Sequence, residues 1–376
     1  MRRSFCVLAL VMLASASAFA AKRVSLQELT QMLTTFHDSQ KSDEYVADQL
    51  KQLELSEEMS SADRDSLGQL LPGTISLEQL EILRGRSVFN PPPASRVSST
   101  PAPDAGTQKT ILDNAGKWIT GAFLRSPAFT ATKATLRYQD DAGKVADHPG
   151  LLVDMPNTYT QLYESHKDTV AITQGAEKIV ESEDAKTKWG MNGQVSEGGP
   201  VPPLPEMFQE ATATGKIAFA RWDTSFDKPV AVFSFSVDKK KTRYTVLYCC
   251  FPDTETATHV ASESDVMVPN QVQSVSTWEP FKKTVPYHGF FYIEPTTGAI
   301  LRTLTFAELK PGDTVRTEDV RNDYTTGDLD GKTCILPERS ITVNEVVPGA
   351  DTGTHSFFVR HGLLMSIYSN YHSGTP

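Results

Sequence analysis

Cysteine is scarce in this chain of 376 residues, with four in all, at Cys6, Cys249, Cys250 and Cys334. No two are spaced as C-x-x-C, so the redox and zinc sites that use this spacing are not expected. If Cys6 leaves with an export signal, three thiols remain, and one bridge plus one free thiol is the simplest count in an oxidising compartment. Strand neighbours face opposite sides, so only one of Cys249 and Cys250 can face Cys334, and both pairings stay open. A strained bridge between Cys249 and Cys250 themselves is the other alternative.

Motifs for catalysis and metal binding are also missing. The sequence has no G-x-S-x-G elbow, and its eight histidines form neither H-x-x-x-H nor H-E-x-x-H. His288, in Tyr287-His288-Gly289, is expected to be structural, with an acid–base role as the alternative. We predict no catalytic residue, no metal and no cofactor, and we do not expect an enzyme.

The segment 328–331, Asp-Leu-Asp-Gly, looks like a fragment of a calcium loop. In that register the first ligand would be Thr326 and the twelfth Pro337, so both key carboxylates are missing. A β-turn with Asp-Gly at its apex is the prediction.

Positive charge is in deficit. The chain has 36 Lys and Arg against 46 Asp and Glu, a net charge of −10, which becomes −12 if Arg2 and Arg3 are removed with a signal. This balance disfavours nucleic acid and anionic lipid surfaces as partners. Apolar runs of about 20 residues are absent, so no transmembrane segment is expected in the mature chain.

The N-terminus is typical of a secretory signal peptide over residues 1–20. Arg2 and Arg3 supply the basic region, Cys6–Leu13 the apolar core, and Ala18-Phe19-Ala20 the small-x-small cleavage site. The protein is therefore expected to be exported, to the periplasm or the extracellular space.

Residues 21–90 predict a small bundle of four amphipathic helices. Ser25-x-x-Glu28 and Ser76-x-x-Gln79 are read as the N-terminal caps of the first and fourth helices. Residues 91–107 contain five prolines, interspersed with Ala, Ser and Thr. This composition predicts a semi-extended linker. The helical domain is expected to be either an interaction module or a cap packed on the next domain.

Residues 108–376 predict an antiparallel sheet domain. A helix over Gln108–Leu124 is followed by strand after strand, joined by short turns such as Gln174-Gly175. The stretch 285–308 forms a hairpin around Glu294-Pro295-Thr296-Thr297-Gly298, with Gly298 at a positive φ. The fold class is therefore α+β, a curved antiparallel half-barrel with a helix packed on it.

Such a sheet can enclose an apolar pocket under its helix. The candidate lining residues are aromatic or aliphatic: Trp118, Phe123, Phe219, Trp222, Phe233, Phe235, Tyr248, Phe291, Ile293 and Ile300. The alternative is that they fill an ordinary core.

Two long stretches carry a resemblance: YHGFFYIEPTTGAILRTLTFAELKPGD and VRNDYTTGDLDGKTCILPERSITV. They resemble the C-terminal half of a family of exported acidobacterial proteins without assigned function. In that family the late cysteine directly precedes the proline, whereas here Leu336 stands there and Cys334 lies two positions earlier. The order of helix, long sheet and D-P-x-T-G-like hairpin is similar to periplasmic lipoprotein carriers, half-barrels that shelter acyl chains. That similarity implies a lipid or lipoprotein acyl chain as ligand.

The sequence thus predicts an exported non-enzymatic protein that binds a lipid or other apolar ligand. The alternative is a structural or protein-interaction component of the cell envelope, which would use the helical domain to contact an envelope protein.

Overall fold

The structure is a computed structural model, and it describes residues 22–140, 160–182, 193–194, 203–214, 216–252, 278–346 and 360–374. The chain divides into two compact units. The first holds the chain up to Pro93 together with 138–162 and 357–361, and the second holds the rest. The predicted signal peptide lies outside the described residues.

The helical part of the first unit contains four α-helices and a short parallel pair of strands. The helices are α1 Leu26–Asp38, α2 Asp43–Lys51, α3 Ser61–Gly68 and α4 Thr74–Ser87; the strands are β1 Lys22–Val24 and β2 Leu53–Leu55. The predicted cap of α1 is confirmed, because Ser25 and Glu28 each bond the other's backbone amide. Leu29, Leu33 and Leu80 are fully buried in one shared core.

The start of α4 differs from the prediction. The sequence suggested a cap at Ser76, but the helix begins at Thr74, and its N-cap Gly73 has no side chain to offer. The carboxylate of Asp43 caps the helix instead, because it accepts hydrogen bonds from the backbone N–H groups of Ile75 and Ser76 at 2.9 Å each. Four N–H groups at a helix start lack partners within the helix, so a carboxylate from a neighbouring helix can cap them.

The second unit carries α5 Ala105–Trp118, a π-helical turn Ile119–Phe123 and α6 Leu204–Thr214. Ten strands form one open antiparallel sheet, and some of them extend into residues of the first unit. These strands are β3 Phe129–Asp140, β4 Thr160–Thr173, β5 Ala176–Ser182, β7 Ile217–Asp223, β8 Val230–Val237, β11 Tyr287–Ile293, β12 Ile300–Ala307, β13 Val315–Leu329, β14 Lys332–Val346 and β15 Arg360–Ser373. Their order is β5-β4-β3-β15-β14-β13-β12-β11-β8-β7. A second sheet has the order β10-β9-β6, from β6 Gly193–Gln194, β9 Thr245–Pro252 and β10 Trp278–Thr284. The predicted α+β class is confirmed.

The predicted hairpin turns are confirmed. Gly298 has φ +78° between β11 and β12, which pair along their length. Gln174 and Gly175 both have positive φ between β4 and β5, as do Asp330 and Gly331 between β13 and β14. Two consecutive positive φ values match the type I′ turn, whose twist suits antiparallel strands. Asp328–Gly331 is thus the turn that the sequence favoured over a calcium loop.

The main core lies between one face of the large sheet and the helices α5 and α6. Phe233, Phe291 and Ile300 from the sheet are fully buried there with Ala115 of α5 and Met207 of α6. None of the helices within the described residues is both long and apolar enough to cross a membrane.

Part of the segment predicted as a linker pairs with β7. Ser98 donates its backbone N–H to the carbonyl of Trp222, and Thr224 donates to the carbonyl of Arg96. The Trp222 indole N–H donates to the carbonyl of Pro101 at 3.0 Å. The edge of β7 is therefore covered by this proline-rich segment at its end.

The predicted bridge to Cys334 is not formed. Cys334 is a buried free thiol on β14. Cys249 and Cys250 lie on β9, which belongs to the smaller sheet and not to the sheet of β14. The prediction considered only the strand face on which each cysteine lies, and it did not consider which sheet each strand joins.

Candidate functional site

A cleft opens in the second unit beside the π-helical turn. Twelve residues line it: Phe123, Ser126, Pro127, Phe129, Ile172, Gln174, Gly175, Glu177, Leu204, Tyr324, Ile335 and Pro337. Eight of them are apolar or aromatic, the composition typical of small-molecule sites. The cleft holds about 480 Å³ of space between atoms, part of it open to solvent.

The π-helical turn shapes one wall. Leu124 donates its N–H to the carbonyl of Ile119, five residues back, which widens the helix at its last turn. Phe123 then packs edge-on to Tyr324 of β13, with ring centroids 6.0 Å apart. Pro127 follows shortly and prevents the helix from continuing.

The tip of the β4–β5 hairpin closes against the same phenylalanine. A Cβ at Gly175 would lie 2.4 Å from Cε1 of Phe123, so a larger residue in the turn would require the Phe123 ring to move. The positive φ of Gly175 favours glycine as well. The conformation of the hairpin turn and its contact with the wall of the cleft therefore both favour glycine at position 175.

Two of the lining residues carry hydroxyl groups for which the described part of the chain offers no hydrogen-bond partner. The Oγ of Ser126 is buried and forms no hydrogen bond within the described part of the chain. Tyr324 hydrogen-bonds through its hydroxyl to no described residue, and burial first, then the neighbouring Asp323, raises its pKa. Tyr324 therefore keeps its proton and remains a donor at neutral pH.

Glu177 is the one acidic side chain of the cleft, and both of its oxygens are engaged. Lys133 donates to Oε1 at 2.7 Å and Tyr368 donates to Oε2 at 2.8 Å. Lys133 also lies 5.7 Å from the Tyr368 ring centroid. These contacts make a nearly buried, charge-balanced group at the side of the cleft.

The ten residues predicted to line a pocket lie mainly inside the core. Seven are buried there, and Phe219, Trp222 and Tyr248 pack against it partly buried. Their rings contact one another, with Phe235 stacked on Phe291 at 4.4 Å between centroids. Among the ten, Phe123 lines the cleft. Ligand binding by the other nine residues therefore stays a prediction.

Sequence reasoning missed Ser126, Glu177 and Tyr324. The signals available were local: Pro127 marked the end of a helix, and Gln174-Gly175 marked a turn. Neither signal says that these residues meet, because the cleft combines strands far apart in the chain.

Two further polar groups lie buried in the large sheet. Asp323 accepts from Nε of Arg302 at 2.6 Å and from Nε of Arg321 at 3.0 Å, with Arg339 3.5 Å away. Burial alone would raise the pKa of Asp323, but these guanidinium groups hold it well below its usual range. The arrangement links β12, β13 and β14 on one face.

Glu318 shows the opposite behaviour. It accepts the hydroxyl of Tyr244 at 2.6 Å. Burial raises its pKa to about 7, and Asp319 adds to the rise while the Tyr244 hydrogen bond opposes it. Burial also raises the pKa of Asp319 to about 7, with Glu345 adding to it.

His288 lies on the surface of the central hairpin. It is half-exposed, stacks on Phe306 and lies 3.3 Å from Glu308. Among the described residues no group of three or more His, Cys, Asp or Glu side chains is placed to hold a metal ion.

Comparison with known proteins gives no match: no family model, no curated protein and no solved structure is significantly similar to the chain. The resemblance to the exported acidobacterial family and to lipoprotein carriers stays a prediction.

Proposed function

We propose that this protein is a non-enzymatic binding protein that takes an apolar chain, such as the acyl chain of a lipid, into the cleft beside Phe123. The observation that carries the proposal is the cleft itself, which is lined mostly by apolar and aromatic side chains. Apolar lining supplies affinity and a few polar groups set orientation in such sites.

The open sheet with two helices against one face supports the finer description of a half-barrel. In this view α5 and α6 cover the filled part of the sheet, and the π-helical turn marks the place where the cover ends. Export through residues 1–20 belongs to the same proposal, since a carrier of envelope lipid has to reach the envelope.

A substitution that fills the cleft tests this function. Ser126→Leu adds three carbons where Oγ now lies, and we expect it to reduce uptake of an apolar fluorescent probe such as N-phenyl-1-naphthylamine. Ser234→Leu is the matched control, because Ser234 is partly buried on β8 and is not among the lining residues. Equal uptake by wild type and both variants would show that the probe binds elsewhere.

The second candidate function is an interaction role for the helical unit. Tyr45 and Ile75 expose about two fifths of their surface on α2 and α4, and aromatic side chains such as that of Tyr45 are enriched at protein interfaces. Cross-linking of full-length protein in its own envelope, with Tyr45→Ser and Ile75→Ser as comparison, tests this role. Loss of a specific cross-link in both variants would support it.

A further inference from the structure

We infer that the edge of β7 recognises an extended, proline-rich segment of a partner protein, and that residues 94–103 of this chain occupy that edge until the partner segment displaces them. We call residues 94–103 the strap. The strap and β7 both belong to the second unit. The inference concerns protein recognition and does not depend on the cleft or its ligand.

The strap contacts the end of β7 as an added strand. Val97 forms an antiparallel bridge with Asp223. On one side of this bridge, the carbonyl of Arg96 accepts hydrogen bonds from the backbone N–H of Thr224 at 3.0 Å and from its hydroxyl at 3.1 Å. On the other side, the carbonyl of Trp222 accepts a backbone N–H of the strap. Most of these contacts use main-chain atoms, so a different extended segment can form them in the same way.

The side chain of Trp222 adds a feature that suits proline. Its indole N–H donates to the carbonyl of Pro101 at 3.0 Å. Its ring packs edge-on to Phe219, with ring centroids 5.4 Å apart. Proline-rich segments lack some backbone donors, are pre-organised in an extended conformation and dock on aromatic surfaces. An indole donor beside a second aromatic ring is therefore matched to such a segment.

Few contacts hold the strap in place. None of its residues belongs to the main core, and Val97 exposes 40% of its surface. The hydrogen bond from the Ser98 N–H to the carbonyl of Trp222 is long, at 3.4 Å. A segment with few buried apolar contacts and a handful of exposed hydrogen bonds opens locally more often than the core does. Opening of the strap uncovers the edge of β7 and the indole N–H.

A tether accounts for the strap's place on this surface. Because the strap is part of the same chain, its effective concentration at β7 is on the order of millimolar, and a free segment of equal affinity competes poorly. The strap of a second copy makes the same contacts without this advantage. A partner segment that adds contacts, through further prolines packed on Trp222 and Phe219, is therefore the occupant that the surface fits.

The first test uses a fluorescein-labelled synthetic peptide of residues 94–103 and the full-length protein. Ser98→Pro removes the strap N–H that bonds to β7. Thr100→Pro is the matched control, because the Thr100 N–H bonds to the Ser98 hydroxyl and not to β7. By fluorescence anisotropy, we expect Ser98→Pro to bind the peptide about 2–10-fold more tightly than wild type does. Thr100→Pro should match wild type.

The second test locates the bound peptide. In nitrogen-15 NMR spectra of Ser98→Pro, the indole signal of Trp222, assigned by its loss in Trp222→Phe, should shift as peptide is added. A peptide with glycine in place of both prolines should bind at least about twofold more weakly, because it is less pre-organised. Equal binding by Ser98→Pro and Thr100→Pro, an unshifted indole signal, or equal affinity for the two peptides overturns the inference.

The wild-type protein supplies a test that needs no strap variant. The amide of Thr224 should exchange its hydrogen at least about tenfold faster than that of Phe233 in the interior strand β8. Equally slow exchange would mean that the strap does not open, and would contradict the inference. A wild-type dimer that Trp222→Phe dissociates would identify a second copy as the occupant and overturn the assignment to a separate partner.

Discussion

Gly298 lies directly against the backbone of Asn114. A Cβ at Gly298 would be 2.2 Å from the carbonyl carbon of Asn114 and 2.4 Å from its oxygen. The tip of the β11–β12 hairpin is thus seated on α5, the helix that leads to the cleft, and the amide of Asn114 reaches the carbonyl of Thr296. This contact sets the position of α5 on the sheet.

Gly298→Ala should therefore destabilise the protein by more than its backbone strain alone. Gly331→Ala is the matched control, since Gly331 has φ +75° but a Cβ added there would meet no atom within 4 Å. Strain at a positive φ costs about 1 kcal/mol, and we expect that loss at Gly331 and at least twice that at Gly298. Urea unfolding measures both, and equal losses would contradict the seating of the hairpin on α5.

Asp43→Ala should remove the cap of α4. Burial alone would raise the pKa of Asp43, but hydrogen bonds from Ser76 and Ile75 lower it, so the carboxylate is charged at neutral pH. Loss of a helix cap costs about 0.5–2 kcal/mol. Asp48→Ala, which removes an exposed partner of Lys51 on the same helix, is expected to cost less than about 0.5 kcal/mol. Similar losses in the two variants would argue against capping by Asp43.

Asp323→Asn should be strongly destabilising, by roughly 3–5 kcal/mol at pH 7, because it removes the charge shared by buried arginines. Because the pKa of Asp323 is lowered in the folded protein, its ionised carboxylate stabilises the fold fully above the pKa of the unfolded chain, near 3.9. This stabilisation is lost progressively as the pH falls below that value. The difference between wild type and variant should therefore shrink between pH 7 and pH 3. Asp238→Asn, at an exposed pair with Lys216, should cost less than about 1 kcal/mol. A pH-independent loss at Asp323 would contradict the assignment.

Glu318→Gln tests the opposite sign. With a pKa of about 7 in the folded protein, Glu318 keeps a proton that the unfolded chain has released above about pH 4.3. The stabilisation of the folded state by protonated Glu318 is thus present at low pH and declines as the pH rises to about 7. Relative to wild type, the free energy of unfolding of the variant should increase by on the order of 1–3 kcal/mol between pH 5 and pH 8. Glu181→Gln, at an exposed position on β5, should show no such trend, and a flat difference for Glu318 as well would be inconsistent with a raised pKa.

Features decided by sequence neighbours could be predicted. The capping box at Ser25 and the turns at Gln174-Gly175, Asp330-Gly331 and Gly298 depend on backbone preferences of a few adjacent residues. The α+β class followed because these turns separate one strand from the next.

Features that depend on residues far apart in the chain could not be predicted from the sequence. The cap of α4 comes from Asp43, 33 positions before Ser76, and Glu177 meets Tyr368 across 191 positions. The predicted bridge to Cys334 is not formed for the same reason, since nothing local says that β9 belongs to a different sheet from β14. The cleft joins Ser126, Glu177 and Tyr324 because of strand order, which periodicity does not report.

The central claim is that the cleft beside Phe123 holds an apolar chain. Native mass spectrometry on full-length protein purified under mild conditions, before and after delipidation, tests it most directly. The account predicts a discrete added mass that disappears on delipidation, returns on incubation with an acyl ester, and is reduced in Ser126→Leu but not in Ser234→Leu. A clean apo mass that stays unchanged after incubation with the ester would contradict it.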